Sequence, residues 1–359
     1  MELLQWKVIQ VIPETPDAVT FILEEASGKP VTWDAGQSIT FLFTHHGHEI
    51  RRSYSICTAP GIDKHVAITV KKKANGEISR HILSTWKKGT TISSLPPAGR
   101  FIIDTDPSQK RHIWFIAAGS GITPVLALIK KVLFHEPESH ITLIYQNHDE
   151  RHIIYQSVLQ QLATQYAQRF RKIDLLSNPT KHEAKPARLN NWLLEQLVTA
   201  NHPSTALRAA SPTQTAASTP LNSLFYTCGP EPFMRMVQFT LRVLGYNEDQ
   251  LRKEHFVIEA LHKPAFTMPS TAFTVVVHYA NQTQQFTTAW PDTILQAAQK
   301  QGITLPYSCN TGRCATCAAI CRKGSVTMSN NEVLTDADLQ GKLVLTCTGY
   351  ATSDLELEI

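Results

Sequence analysis

The chain reads as three consecutive domains, β, then α/β, then α+β, and two changes of pattern along its 359 residues predict that division. Over 1–106, short alternating runs at 18–23, 38–43 and 66–71 are punctuated by Gly and Pro with little helical periodicity, as in a small antiparallel barrel. Over 107–262, apolar runs at 113–117, 141–145 and 224–227 alternate with amphipathic stretches at 124–134 and 232–244. Strands separated by helices make a largely parallel sheet, because parallel neighbours need a crossover. A breaker-rich stretch from His262 to Ser270 then ends the second pattern. Beyond it, 271–359 offers strands at 273–280 and 284–290, a helix near 293–301 and a cysteine-bearing loop, which together make a compact α+β domain.

Four cysteines, Cys309, Cys314, Cys317 and Cys347, follow the spacing C-x4-C-x2-C-x29-C, the plant-type arrangement of ligands to a [2Fe–2S] cluster. The first three crowd into one loop with Gly312 and Ala315, which leaves the backbone room to wrap an inorganic core and aim N–H groups at its sulfurs. Cys347 arrives from a distant strand. Structural zinc sites usually bring two short C-x2-4-C pairs, and only one occurs here. Cys321 lies four residues beyond Cys317, but Cys347 completes the spacing better. The remaining Cys57, Cys228 and Cys321 are odd in number and scattered, which suits reduced thiols in the cytoplasm rather than a disulfide framework.

A formal charge of +4 is too small and too dispersed to mark a nucleic-acid-binding protein, and the longest basic run, Lys71 to Lys73, falls at a predicted strand end. No apolar stretch reaches membrane-spanning length, and the first seven residues lack the basic-then-apolar layout of a signal peptide. Neither nucleic acid nor membrane insertion is expected. The stretch from Asn201 to Ser223 is dominated by Ala, Ser, Thr and Pro, has little to bury, and reads as a surface insertion. His45-His46-Gly47-His48 has metal-binding residue types, but no carboxylate or thiol accompanies it, and it reads as a polar turn.

Arg52-Ser53-Tyr54-Ser55 closes a predicted barrel strand. A guanidinium pairs with pyrophosphate, a Tyr ring covers an isoalloxazine, and a hydroxyl suits the ring edge where hydride arrives, so the types fit a flavin. Read alone, they equally suit an exposed strand. Gly76 and Ser79 precede a predicted helix at 80–86, where backbone N–H groups favour a phosphate, although a plain N-cap fits as well. Both elements on one barrel favour a flavin.

Gly119-Ser120-Gly121-Ile122-Thr123-Pro124 follows a strand and opens a helix, a strand–turn–helix context that suits a dinucleotide. Pro124 stands where the full fingerprint has its third Gly. Cys228-Gly229-Pro230 repeats the strand–turn–helix context. Parallel topology puts both turns at the carboxyl ends of strands, where ligands bind.

Arg52–Ser55, Gly119–Pro124, Cys228–Pro230 and the four cysteines together resemble the ferredoxin–NADP reductase superfamily carrying a C-terminal ferredoxin domain. Within it, Pro137-Glu138-Ser139 and Leu305-Pro306-Tyr307-Ser308-Cys309 look most like the reductase subunits of bacterial phenylacetyl-CoA epoxidases. The resemblance implies an antiparallel FAD-binding barrel, a parallel-sheet nucleotide-binding domain and a β-grasp ferredoxin domain. It implies that Arg52, Tyr54 and Ser55 hold FAD, with Gly76 and Ser79 on its phosphates. Gly119, Gly121, Thr123, Pro124, Cys228, Gly229 and Pro230 would frame NAD(P)H. Glu254 and Phe256 match an E-x-F element near the flavin, and Ser55, Cys228 and Glu254 would form the catalytic set. Asn147-His148-Asp149-Glu150-Arg151 mixes acids that repel a 2′-phosphate with an Arg that binds one, so the choice between NADH and NADPH stays open.

A nicotinamide gives two electrons as hydride and a [2Fe–2S] cluster takes one, so a flavin must stand between them. The expected activity is NAD(P)H-dependent reduction of a partner oxygenase through FAD and the cluster. The resemblance points to the phenylacetyl-CoA epoxidase as acceptor. Another oxygenase, a lipid desaturase, and a non-catalytic flavin/iron–sulfur sensor are the alternatives.

Overall fold

A computed structural model describes residues 3–45, 48–180, 185–200, 223–256 and 266–359. All of the expected insertion except Ser223, and residues 46–47 of the histidine turn, lie outside the described residues.

The first unit is a six-stranded antiparallel sheet built from β1 (Leu4–Thr15), β2 (Ala18–Glu25), β3 (Ser38–His45), β4 (His48–Ser55), β5 (Val66–Lys71) and β6 (Thr91–Ser94), with helix α1 (Glu77–Thr85). Its order is β4-β3-β6-β1-β2-β5, and a bridge from Ile56, just past β4, to Ile68 of β5 joins the two edges into a barrel. Closure matters because it removes the open edges that would otherwise pair with another chain. Inward-facing Trp6, Phe21, Ile39, Phe41 and Ile68 fill the interior, and the Trp6 indole donates to Ser94 Oγ at 2.7 Å, so its one polar atom is not stranded. Helix α1 begins three residues before its predicted start and buries Ile78 and Ile82 against that interior.

The second unit runs β7 (His112–Ala118), α2 (Ile122–His135), β8 (His140–Asn147), α3 (Gln156–Gln165), β9 (Phe170–Leu176), α4 (Asn191–Ala200), β10 (Ser223–Cys228), α5 (Glu231–Val243) and β11 (Leu251–Glu254). All pairings in its sheet are parallel, in the order β11-β10-β7-β8-β9. Beyond its first residue β7 is entirely buried, as a central strand covered on both faces must be. The chain leaves β7 toward β8 on one side and returns as β10 on the other, so a crevice opens between the carboxyl ends of β7 and β10. Helix α2 starts two residues earlier than predicted. Pro124 sits within its first turn, where a missing N–H costs nothing.

The third unit comprises β12 (Phe273–Tyr279), β13 (Gln282–Thr288), α6 (Ile294–Lys300), β14 (Ala318–Lys323), β15 (Val326–Met328), α7 (Asp336–Gln340), β16 (Leu343–Leu345), β17 (Gly349–Ala351) and β18 (Leu355–Glu358). A mixed sheet of order β13-β12-β18-β14-β16 wraps α6, with β12 and β18 parallel. Thr293 caps α6 in a reciprocal box with Gln296. The second strand spans 282–288 rather than the predicted 284–290, because the tight turn at Ala280 and Asn281, both at positive φ, brings it in early.

Barrel and nucleotide unit share one core, in which Ala35, Phe101 and Ile103 pack with Ile113, Ile122 and Leu128. At Gly36 (φ +90) a Cβ would lie 1.9 Å from the Phe101 carbonyl oxygen, so only glycine allows the two loop segments to close there. Lys130 pairs with Asp63 (2.8 Å) and Lys131 with Asp34 (2.7 Å) across the same seam. Among the described residues, no helix is long and apolar enough to cross a membrane.

Candidate redox site

The four sequence-selected cysteines converge. Cys309, Cys317 and Cys347 are buried and Cys314 is partly exposed. Left-handed φ angles at Asn310, Gly312 and Ala315 fold the loop back on itself, and a Cβ on Gly312 would strike the Asn330 carbonyl oxygen at 2.6 Å. That curl aims the Thr311 and Arg313 N–H groups at Cys309 Sγ, at 3.4 and 3.5 Å. Hydrogen bonds from Cys314, Cys347 and Thr311 hold the Cys309 thiol well below its ordinary value, which favours the thiolate a metal needs. The donor set and the aimed amides fit a [2Fe–2S] cluster. Cys321 stands apart, donating to the Lys323 carbonyl oxygen at 3.4 Å.

Strand β4 carries the flavin motif, and its two faces differ. Arg52 and Tyr54 share one face with Ile50, and the Tyr54 ring tilts against Phe41 with centroids 6.2 Å apart. Burial raises the Tyr54 hydroxyl to about 12, so it remains a neutral donor. Arg52 is exposed and donates to the Arg51 carbonyl oxygen (2.7 Å). Residues 51, 53 and 55 alternate to the other face. At α1, Gly76 is the N-cap residue without a side-chain cap, and a Cβ there would meet Lys73 Cβ at 2.6 Å. Ser79 is buried and turns its hydroxyl back into the loop, accepting from Lys73 N (3.2 Å) and donating to Gly76 O (3.1 Å).

Both glycine turns lie at the carboxyl-end crevice. A Cβ on Gly121 would fall 2.1 Å from the Cys228 carbonyl oxygen, so the turns after β7 and β10 touch only because residue 121 is glycine. Gly229 is nearly as tight, its Cβ position lying 3.0 Å from both Ala118 Cβ and Phe233 Cδ1. Gly119 takes φ +54 and accepts from the Tyr145 hydroxyl (3.0 Å). Thr123 and Pro124 are buried in the first turn of α2, where Thr123 donates to Ser120 O (2.9 Å). Pro230 is the N-cap residue of α5. Two buried side chains at this edge, Asn147 at the end of β8 and Thr227 on β10, have polar atoms without a hydrogen-bond partner. Unmet buried polar atoms beside two helix N-termini fit a polar, anionic dinucleotide.

Register brings the expected catalytic set together. Cys228 of β10 is the direct neighbour of Glu254 of β11, and the Ser55 hydroxyl donates to Glu254 Oε2 at 2.9 Å from the barrel side. Burial pushes the Glu254 carboxyl up to about 8, with the Ser55 hydroxyl opposing, so it holds its proton at neutral pH. Cys228 is completely buried, which raises its thiol well above the ordinary value and makes it an uncharged neighbour. Phe256, two residues past Glu254, is 43% exposed.

A polar junction, absent from the sequence expectations, joins nucleotide and cysteine domains. His255 Nδ1 lies 2.8 Å from Glu231 at the start of α5, and its Nε2 lies 3.3 Å from Glu332. Glu332 also accepts from Arg313 of the cysteine loop, at 3.0 and 2.9 Å. These acids and the imidazole have metal-ligand spacing. With Arg313 and Lys253 already on Glu332, the cluster is an ion-pair junction.

Residues 7–103 match the family described as oxidoreductase FAD-binding domain, 115–238 the oxidoreductase NAD-binding domain, and 277–352 the 2Fe-2S iron-sulfur cluster binding domain. The chain is similar to a subunit of the 1,2-phenylacetyl-CoA epoxidase of Escherichia coli, 30% identical over 362 residues that cover 98% of this chain and 96% of that one. It is also similar to the ferredoxin reductase component of 3-ketosteroid-9-alpha-monooxygenase of Mycobacterium tuberculosis, 29% identical over 372 residues covering 98% and 94%. An intact type IV self-sufficient cytochrome P450 monooxygenase shares the fold, with a TM-score of 0.71 and 22% identity over 99% of this chain; the chain spans 41% of that larger protein. Fold, site and likeness define a flavin and iron–sulfur reductase. The chain belongs to the ferredoxin–NADP reductase superfamily with a C-terminal plant-type ferredoxin domain, and is an NAD(P)H-dependent oxidoreductase that passes electrons through FAD and a [2Fe–2S] cluster.

Replacing Gly121 with Ala should force the two turns apart, lowering stability by about 1–3 kcal/mol and raising the KM for NAD(P)H; denaturant melts and steady-state kinetics check both. The Glu254 pKa lies above its unfolded value, so its stabilising contribution is complete below the unfolded pKa and is lost as pH rises through about 8. Glu254→Gln should therefore flatten the fall in thermal stability between about pH 4.5 and 8 and change little above that, as a Tm series across that range would record.

Proposed function

We propose that this reductase is the electron-supplying component of an oxygenase, and that the oxygenase is a phenylacetyl-CoA epoxidase. The observation that carries the reading is the meeting of Ser55, Glu254 and Cys228 at one end of β4, with the cysteine loop against its middle, through Ser53 and Ser308. Likeness to the epoxidase protein over nearly the full length of both chains supports the named acceptor. Likeness to the 3-ketosteroid monooxygenase reductase is only slightly weaker, and supports another oxygenase as the second reading. From Phe273 onward the chain has five Lys/Arg and seven Asp/Glu, a net of −2, which favours a basic docking surface on the acceptor. Cys57, Cys228 and Cys321, outside the cluster set, form no disulfide, which suits the cytoplasm.

FAD, when bound, takes a hydride's two electrons together and releases them singly. Arg52 holds its pyrophosphate, with backbone N–H groups at the start of α1 beside Gly76 and Ser79 holding phosphate, and Tyr54 covers the ring. Ser55 stands at the hydride-receiving edge, with protonated Glu254 behind it as a neutral hydrogen-bonding partner. Gly119, Gly121, Gly229 and Pro230 admit the nicotinamide dinucleotide, Thr123 and Pro124 shape the first turn of α2 beneath it, Cys228 borders the nicotinamide, and Phe256 lies close to the flavin.

NADPH is the preferred donor. Asp149, the first acid after β8, is buried and accepts from Arg151 N (2.9 Å) and Arg151 Nη2 (3.0 Å), with His152 Nδ1 at 2.7 Å. Hydrogen bonds from Arg151, then His152, hold its carboxyl well below the usual range. Glu150 is likewise engaged, accepting from the Thr180 N–H and hydroxyl at 2.9 and 2.7 Å. Arg151 remains 69% exposed in the turn that follows β8, where its guanidinium suits a 2′-phosphate.

In Arg151→Ala the KM for NADPH should rise about tenfold or more, as loss of a charge-assisted contact predicts, while that for NADH stays level; a wild-type protein that favours NADH would overturn the preference. Cys314→Ser should abolish reduction of the oxygenase and of cytochrome c while ferricyanide reduction through FAD persists. Product formation by the purified epoxidase supplied with this reductase and NADPH tests the acceptor, and a faster rate with a steroid monooxygenase would favour the second reading.

A further inference from the structure

We propose that Arg51 and Ser53 are positioning residues that clamp the cluster loop to the flavin strand and set the rate of flavin-to-cluster electron transfer. The inference rests on the FAD and cluster assignment, and concerns one residue beside the flavin motif, Arg51, and one within it, Ser53, to which that motif assigns no role.

The clamp has two parts. The Arg51 guanidinium lies 3.8 Å from the centroid of the Tyr307 ring, and its Nη1 donates to the Tyr307 carbonyl oxygen at 3.2 Å. Glu49 accepts from Arg51 Nε at 2.7 Å, so the group is held from both sides, and the side chain is 9% exposed. A desolvated guanidinium over an aromatic ring is attracted by the ring's quadrupole and is held flat against it. One step along the same face, Ser53 Oγ lies 2.6 Å from Ser308 Oγ and 2.8 Å from Thr40 Oγ1, whose residue is buried. Ser308 is bonded directly to Cys309, the first cluster ligand, and Ser53 adjoins Tyr54, two residues from Ser55. One hydrogen bond thus separates the flavin strand from the backbone of a ligand. Pro306 stiffens the incoming segment by fixing its own φ and restricting Leu305.

The step that depends on this contact is a single-electron transfer. One electron leaves the reduced isoalloxazine and converts one cluster iron from ferric to ferrous. The second follows once the acceptor has emptied the cluster, and the proton left on the ring goes to solvent. Neither Arg51 nor Ser53 touches the reacting atoms; they fix the distance over which the electron moves. Each contact is a modest interaction, so its removal should loosen the docking without unfolding either domain.

The test uses the holoprotein loaded with FAD and cluster. Arg51→Ala and Ser53→Ala should slow cluster reduction after mixing with NADPH by about tenfold or more, in line with the sensitivity of rates to small misplacements. Ferricyanide reduction and the visible spectrum should stay at wild-type level. Amide hydrogen exchange should quicken across 305–313 in both variants. Ser53→Thr, which keeps the hydroxyl, and Tyr307→Phe, which keeps the ring, should restore the transfer rate. Wild-type cluster reduction in both alanine variants, with unchanged exchange, would overturn the inference. If the cluster of the wild-type protein were not reduced by NADPH at all, the relay itself would fail instead.

Discussion

One strand, β4, carries the flavin motif and touches both other domains, and the alternation of its side chains makes this possible. A strand presents successive residues to opposite faces, so Arg52 and Tyr54 are available to a flavin while Arg51, Ser53 and Ser55 reach neighbouring domains. A one-residue slip in the pairing of β4 with β3 would exchange the two sets. That register is secured by packing: Ile39, Phe41 and Phe43 lie opposite Tyr54, Arg52 and Ile50 and have nowhere to go but the barrel interior.

Barrel and nucleotide unit are joined by a continuous apolar core, whereas the ferredoxin unit is held largely by polar contacts. Arg51 with Tyr307, Ser53 with Ser308, Arg100 with Asp338, and His255 with Glu332 make up that second seam. Apolar burial makes the first seam hard to open, since separation would expose a shared core. The polar seam exchanges its bonds for water at little net cost. The barrel and nucleotide unit thus form the seam that is harder to open, and the ferredoxin unit hangs on the softer one.

Much of this was legible in the sequence where chemistry restricts spacing. Ligand spacing around the cluster is imposed by the iron core, so Cys309, Cys314, Cys317 and Cys347 could be picked out while Cys321 was set aside. Glycine positions were legible too, although the reason at Gly121 is contact between two turns rather than room for a ligand alone. The sequence could not show which way a polar group turns. Ser79 read as part of a phosphate-holding helix start or as a plain N-cap, yet its hydroxyl ties its own loop together, and Asp149 read as a repelling charge, yet it faces inward. Arg51, Ser53 and the Glu231–His255–Glu332 junction were invisible because their partners lie in other domains, hundreds of residues away for Tyr307 and Ser308. Alternation along β4 would have grouped Arg51 and Ser53 with Ser55, without naming what they face.

The four cysteines differ in access: Cys309, Cys317 and Cys347 are buried and Cys314 is partly exposed. A protein that seats over the cysteine loop would therefore meet Cys314 before the other three, while the Ser308 side of the same loop is already taken up by β4.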